Sequence, residues 1–393
     1  MEKTHHSGFN TFGLFNESYP PIMDGVALAV SNYAYWLHEK NYPVCVVAPN
    51  APDYEDDEVY PVFRYTSVPV PTRKPYRLGL PDIDFSFQKK FEEIKFELVH
   101  AHSPFSAGKL AVRVAKEQKV PLIATFHSKY RDDFERALHS RHVVDLMVKE
   151  IVSFYEKADE VWVPQKAVEE TLREYGYKGK IEVVDNGNDF ATDEDLAPVK
   201  QRAREALGVK GDEFVFLFVG QHIWEKNTRM IVEALALMKD EPFRMFFVGT
   251  GYAADELKTL VKEAGLSSKV TFTGIVTDRE RIKLYYAASD LFLFPSLYDN
   301  APLVVREAGA LGTPSVMVAG STAAEILTDN LNGFLIENSA KSLAEKLRGL
   351  IKNPDLVKEV GINASKTIAN SWKSIVEEEV LDRYLSIIRR KKT

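Results

Sequence analysis

Apolar positions along this chain fall into two patterns that take turns. There are short unbroken apolar runs, and there are longer stretches in which apolar residues return every three or four positions. The runs read as strands covered on both faces of a parallel sheet, and the stretches as amphipathic helices. In the first half, strands are predicted at residues 10 to 15, 44 to 49, 62 to 70, 98 to 101, 121 to 126, 160 to 164 and 181 to 184, with helices over 26 to 37, 106 to 118 and 141 to 155. Between the first strand and the first helix, ESYPPIMDGV carries two prolines and Gly25, which break regular structure. That glycine either lets backbone approach a ligand or serves only as a turn. Residues 189 to 202 are acidic and lack strand character, so they read as a linker running into a helix. A second series follows, with strands at 214 to 219, 244 to 248, 270 to 273 and 291 to 294 and helices over 226 to 238, 253 to 264 and 278 to 288. The end, 368 to 388, is helical and carries Trp372 and Tyr384. This alternation predicts an α/β protein of two Rossmann-like, doubly wound domains facing each other across a cleft. The expected boundaries are 1–192 and 193–370, with 371–393 a helix packing back on the first domain.

The stretch Leu291 to Val316, LFLFPSLYDNAPLVVREAGALGTPSV, joins a buried strand, a polar loop and a helix opening onto that loop. Asn300 is suited to cap the helix and Pro302 to occupy its first turn, which would leave the amides of Leu303 and Val304 unbonded. Free amides at the positive end of a helix dipole make an anion site. Asp299 in the loop and Glu307 in the helix flank it. A carboxylate touching a phosphate would repel it, so each acid is better suited to accept hydrogen bonds from hydroxyls beside the phosphate. That pattern describes a sugar nucleotide, with hexose at one end, diphosphate in the middle and ribose at the other. The same spacing is also what a loop acid and a helix-face acid with no ligand would show.

Bulk properties narrow the class. A length of 393 residues favours two domains, and no apolar run approaches the roughly 20 residues of a membrane span, so a soluble globular protein is expected. A net charge of −7 argues against nucleic acid as the main partner. Cys45, the only cysteine, lies in the apolar PVCVVAP and reads as a small core residue in a reducing compartment. MEKTHHSGFN lacks the apolar core of a signal peptide, which predicts a cytoplasmic location, and His5 and His6 read as incidental. The basic tail Arg389 to Lys392 reads as solvated, or as a contact with an anionic membrane. Arg73 to Leu80 and Lys129 to Tyr155 mix basic and large apolar residues, as a surface meeting a lipid interface would, and as an ordinary loop and core-facing helix also would.

Two further features bear on chemistry. Residues 249 to 254, GTGYAA, fit the dinucleotide fingerprint and follow a strand. The fingerprint also needs an acid about 20 residues on, at the end of the next strand. Here that strand, VTFTG at 270 to 274, has none, so a nicotinamide enzyme is rejected. His127, in TFHSKYRDDF, stands at the carboxyl edge of a strand, where open α/β sheets bind ligands. It reads as a ligand group or as a satisfied strand-end residue; His100 and His102, in VHAHSP, are secondary candidates at another edge.

The Asp299/Glu307 spacing, followed by AGALGTPSV, resembles the acidic-x7-acidic motif of family 4 glycosyltransferases, which have the GT-B fold. YPPIMDGV, TFH, VDNGND, FVGQHIWEKN, GTG, FTGIV and NGFL stand in the family's order over residues 10 to 385. The resemblance implies transfer of a hexose from a nucleotide-diphosphate sugar to a hydroxyl, retaining the anomeric configuration, with no metal and no cofactor beyond the donor. It implies that Glu307 holds the ribose hydroxyls and Asp299 those of the donor sugar. The amides of Leu303 and Val304 would hold the distal phosphate, helped by Lys226 and the backbone of Gly25, with Asn300, Ala301 and Gln221 also among the substrate-binding residues. Backbone at Val276 would pair with the nucleobase, and His127 would sit by the anomeric carbon. Lys226 is the foremost catalytic candidate, because without a metal the charge on the departing diphosphate needs protein donors. Three positions depart from the family pattern: Asp299 where Glu is usual, Gln221 where Arg is usual, and Pro302 where glycine is usual. DNAPLVVREAG with GQHIWEKN most resembles bacterial members that glycosylate membrane lipids such as diacylglycerol, often from UDP-glucose. A lipid acceptor and peripheral contact at the inner face of the membrane are therefore expected. The other expectations are a GT-B sugar-nucleotide epimerase or hydrolase, and a catalytically weak sugar-nucleotide-binding protein, the latter suggested by Gln221.

Overall fold

The computed structural model describes residues 10–22, 24–70, 76–138, 140–192, 194–211 and 213–392. His5, His6 and the first part of the Arg73 to Leu80 stretch lie outside the described residues. The chain divides into two compact units, Met1–Asn186 with Trp372–Thr393, and Gly187–Ser371. No helix among the described residues is long and apolar enough to cross a membrane.

The first unit holds β1 (Thr11–Phe15), β2 (Val44–Pro49), β3 (Val62–Tyr65), β4 (Ser67–Pro69), β5 (Arg77–Gly79), β6 (Phe96–Ala101), β7 (Leu122–Thr125), β8 (Glu160–Val163) and β9 (Ile181–Val183). Its main sheet runs β3-β2-β1-β6-β7-β8-β9, all parallel. Every residue of β2, β6 and β7 is buried; β2 accordingly reads as an unbroken apolar run, while β6 also buries Glu97 and His100. The strand predicted over 62 to 70 is two strands. The Ser67 hydroxyl donates to the Asn50 carbonyl and accepts from Arg77 Nε, and this turns the chain into the antiparallel β4–β5 pair. The unit closes with the last helix, Leu381–Lys392, whose Tyr384, Ile387 and Ile388 are buried. The expected solvated tail is instead helical and paired. Arg390 meets Glu160, Lys392 meets Glu97, and Lys391 lies 2.6 Å from Asp159.

The second unit holds β10 (Phe214–Val219), β11 (Phe243–Val248), β12 (Val270–Gly274), β13 (Leu291–Leu293), β14 (Ser315–Val318) and β15 (Phe334–Ile336) in the parallel order β12-β11-β10-β13-β14-β15. Phe216, Phe218, Phe247, Phe292 and Phe294 fill its core. The chain builds outward from β10 in one direction, then reverses to place β13 on the other side. The point of reversal is where open α/β sheets bind ligands, outside the carboxyl ends of the strands. Here that point lies between β10 and β13, so the loops beginning at Gly220 and Phe294 meet there. In the first unit the corresponding reversal lies between β1 and β6.

Candidate functional site

The loop after β10 is shaped by close backbone packing. Gly220 has φ +150° and its amide donates to the Val248 carbonyl at 3.0 Å. The His222 amide donates to Thr250 and its carbonyl accepts from Ala253, so 220–222 is zipped onto the loop after β11. A Cβ on Gly249 would lie 2.1 Å from the Gly220 carbonyl oxygen, and one on Gly251 2.4 Å from that of His222. The glycines of GTGYAA thus serve loop-on-loop contact, which explains a dinucleotide-like spacing that lacks the acid.

From this zipped loop the chain makes a single 3-10 turn, Trp224–Lys226. Asn227 then adopts the left-handed conformation, φ +59°, before the helix Thr228–Leu237. The helix predicted from Lys226 therefore starts later, because a left-handed residue interrupts it. Asn227 ties the turn to the far loop, its amide nitrogen donating to the Pro295 carbonyl at 3.3 Å and to Asn338 Oδ1 at 2.9 Å. Lys226 thereby faces the β13 loop. Its Nζ lies 2.7 and 2.9 Å from the two oxygens of Asp299 and 5.0 Å from the centre of the Phe294 ring. Asp299 is held from behind by the buried Ser296, which donates to Oδ2 at 2.6 Å and accepts the amides of Tyr298 and Asp299. Sequence reasoning placed Lys226 and Asp299 in one site. It did not foresee that they would pair with each other, nor the role of Ser296.

Pro302, expected inside the first helical turn, stands one residue before it with ψ 123°, and the helix runs Leu303–Ala310 with no side-chain cap. Asn300, expected as the cap, lies buried three residues ahead of the helix, with Ala301 half-buried beside it. The amides of Leu303 and Val304 make no hydrogen bond to any described residue. Further along the helix Glu307 is 3% exposed, and both its oxygens are engaged. Oε1 accepts from Arg279 at 2.7 Å and Oε2 from the Tyr286 hydroxyl at 2.9 Å. Arg279 also reaches Asp189 at 2.9 Å and lies over the Phe190 ring. Sequence reading missed Arg279 and Tyr286 because they lie on a different helix, 28 and 21 residues from Glu307. Of the remaining positions in this unit, Gln221 exposes its side chain, and Val276 is half-buried just beyond β12.

Gly25 and His127 belong to the first unit. Gly25 is the exposed first residue of the helix Gly25–Glu39 rather than part of a free loop. Asp24 caps that helix, accepting from Val26 at 3.0 Å and Ala27 at 2.8 Å. His127 follows β7, and its Nε2 lies 3.2 Å from His102 Nδ1, with the two rings stacked. His102 in turn packs on His100, whose ring bridges Tyr384 and Thr125 at 2.6 and 2.7 Å. Burial holds His127 down to about 4 and keeps His100 and His102 well below the usual range, so this histidine stack is neutral at neutral pH.

Comparison with known proteins matches these two units in turn. Residues 23–191 match the model of Glycosyltransferase Family 4, and residues 199–367 that of Glycosyl transferases group 1. The chain is 27% identical over 354 residues to an alpha-monoglucosyldiacylglycerol synthase of Streptococcus pneumoniae, covering 88% of this chain and 79% of that one. It is 26% identical over 389 residues to the enzyme of the same name from Acholeplasma laidlawii, covering 96% and 97%. Among solved structures, sucrose-phosphate synthase from Thermosynechococcus elongatus superimposes with a TM-score of 0.76 at 20% identity, covering 96% of this chain and 99% of that one. HepE of Anabaena in complex with UDP and glucose does so with a TM-score of 0.75 at 19% identity, with the same coverage. With a parallel-sheet Rossmann-like domain under each family model, the chain belongs to the family 4 glycosyltransferases and has the GT-B fold.

Proposed function

We propose that this glycosyltransferase moves glucose from UDP-glucose to a hydroxyl of a membrane lipid of the diacylglycerol class, retaining the anomeric configuration and using no bound metal. The observation carrying the donor side is the pair of amides at Leu303 and Val304 that have no partner among the described residues, in the loop-helix unit that also presents the Lys226–Asp299 pair. The diphosphate rests on those amides. Lys226 has three N–H donors; two face the Asp299 oxygens, and the third serves a phosphate oxygen. The remaining lone pairs of Asp299 accept from the donor sugar, and those of Glu307, held by Arg279 and Tyr286, accept from the ribose. Backbone at Val276 is assigned to the base, and His127 in the first unit to the transferring hexose. As the anomeric bond breaks, charge collects on the departing diphosphate and the sugar becomes oxocarbenium-like. A preorganised donor aimed at that charge contributes about 3 to 4 kcal/mol. Gln221 offers an amide but no charge, which leaves more of the neutralisation to Lys226.

The lipid acceptor is suggested by the two synthases named above and by the helix Arg141–Tyr155. Its buried face is Val144, Val148, Ile151 and Val152, yet Val143 and Leu146 lie on the exposed side with Arg141 and Lys149. Apolar residues framed by cations suit a headgroup boundary. The test supplies UDP-glucose with vesicles containing diacylglycerol. The expected outcome is UDP release that depends on the lipid and an anomerically retained product, both lowered about 100- to 1000-fold by Lys226→Ala. Product from donor alone would instead mark an epimerase or hydrolase. Tight donor binding without turnover would mark a binding protein.

A further inference from the structure

We infer that His102 is a positioning residue that fixes the tautomer of His127, keeping the His127 proton on Nδ1. The inference starts from an atom without a partner. His102 is 1% exposed, and its Nε2 has no hydrogen-bond partner among the described residues. The ring has little room to turn and find one. It packs tilted against His100 with centroids 4.0 Å apart, meets the edge of Tyr33 at 5.4 Å, and stacks on His127 at 5.4 Å.

Between His102 Nδ1 and His127 Nε2, 3.2 Å apart, one nitrogen carries the hydrogen and the other accepts it. If His127 donated from Nε2, then His102, accepting on Nδ1, would have to carry its own proton on Nε2. That would leave an N–H buried with nothing to receive it. If His102 donates from Nδ1, its Nε2 is only a lone pair. A buried donor without an acceptor is rarer and costlier than an unused lone pair. The second arrangement therefore wins. His127 accepts at Nε2 and, being neutral, carries its hydrogen on Nδ1. The consequence is chemical: from Nδ1, His127 acts as a hydrogen-bond donor rather than a base, which suits an oxygen of the transferring sugar. Only this last step rests on the function proposed above.

The full chain labelled with 15N-histidine tests this by long-range proton–nitrogen correlation spectra above pH 6.5, with assignments from His102→Phe and His127→Gln. The expected spectrum shows both His102 and His127 protonated on Nδ1; protonation of either on Nε2 overturns the inference. His102→Phe keeps the stacked ring but removes its donor. It is expected to move the His127 proton at least partly to Nε2 and to lower kcat by up to about a hundredfold, with donor KM within about twofold. An unchanged His127 tautomer, or a raised KM with kcat intact, overturns it. Should His102→Phe fail to fold, the wild-type spectrum decides alone. A wild-type chain that transfers no sugar would sink the proposed function, while the tautomer measurement would still stand.

Discussion

At the scale of residues, Lys226 and Asp299, the pair proposed for the donor site, face each other at 2.7 Å. Partly buried ion pairs are not strong stability devices. Under the proposed function its role is to hold an ammonium still, so that a phosphate meets an oriented donor without reorganisation. The spacing of the two acids and the start of the helix between them were legible, and in the fold each acid is held by its own partners, Asp299 by Lys226 and Ser296 and Glu307 by Arg279 and Tyr286. The contacts made by Ser296, Arg279 and Tyr286 were not legible, since only folding brings them to the two acids. Gln221 offers a direct check. Its side chain is exposed in the loop after β10, so arginine can be accommodated and would add a guanidinium near the expected diphosphate. Gln221→Arg should tighten UDP-glucose binding about tenfold by calorimetry. Unaltered affinity would show that the diphosphate does not lie within reach of position 221.

At the scale of elements, three loops are laced by backbone hydrogen bonds into a base for the site. Gly220 meets Val248, His222 meets Thr250 and Ala253, and Gly249 meets Gly274. Gly249 combines φ +123° with an absence of space, so Gly249→Ala must push the Gly220 loop and Lys226 away. The expected result is a lower melting temperature, by more than the shift of about 1 kcal/mol typical of a point mutation, together with weaker donor binding. A variant with wild-type melting and binding would mean that the lacing has no structural role. Strands and helices with strong periods were readable here: the helices Ser106–Gln118 and Arg141–Tyr155 occur with the predicted ends. What escaped has local physical causes. β14 and β15, 4 and 3 residues long, were not predicted. The start of the helix after β10 is set by the left-handed Asn227, and the break in the 62–70 strand by the Ser67 hydroxyl.

At the scale of the whole molecule, buried histidines set an acid limit. His127 and His222 are each held at about 4 by burial, and His100 and His102 lie well below the usual 6.5. Because the folded pKa values are depressed, the unfolded chain binds protons first as pH falls. Stability is therefore lost between about pH 6.5 and about pH 4, at up to about 1.4 kcal/mol per pH unit for each histidine, and is unaffected by these groups above that window. His222, 1% exposed among Phe218, Phe247 and Phe272 with neither ring nitrogen partnered among the described residues, isolates the effect. His222→Phe should leave stability at pH 7.5 equal or higher and flatten the decline toward pH 5 in urea titrations. An equally steep decline would mean that His222 is protonated in the folded chain. The most direct measurement of the donor site is a crystal structure with UDP-glucose bound. The expected result places diphosphate oxygens within hydrogen-bond distance of the Leu303 and Val304 amides and Lys226 Nζ. A diphosphate bound elsewhere, with those amides still unoccupied, would contradict it.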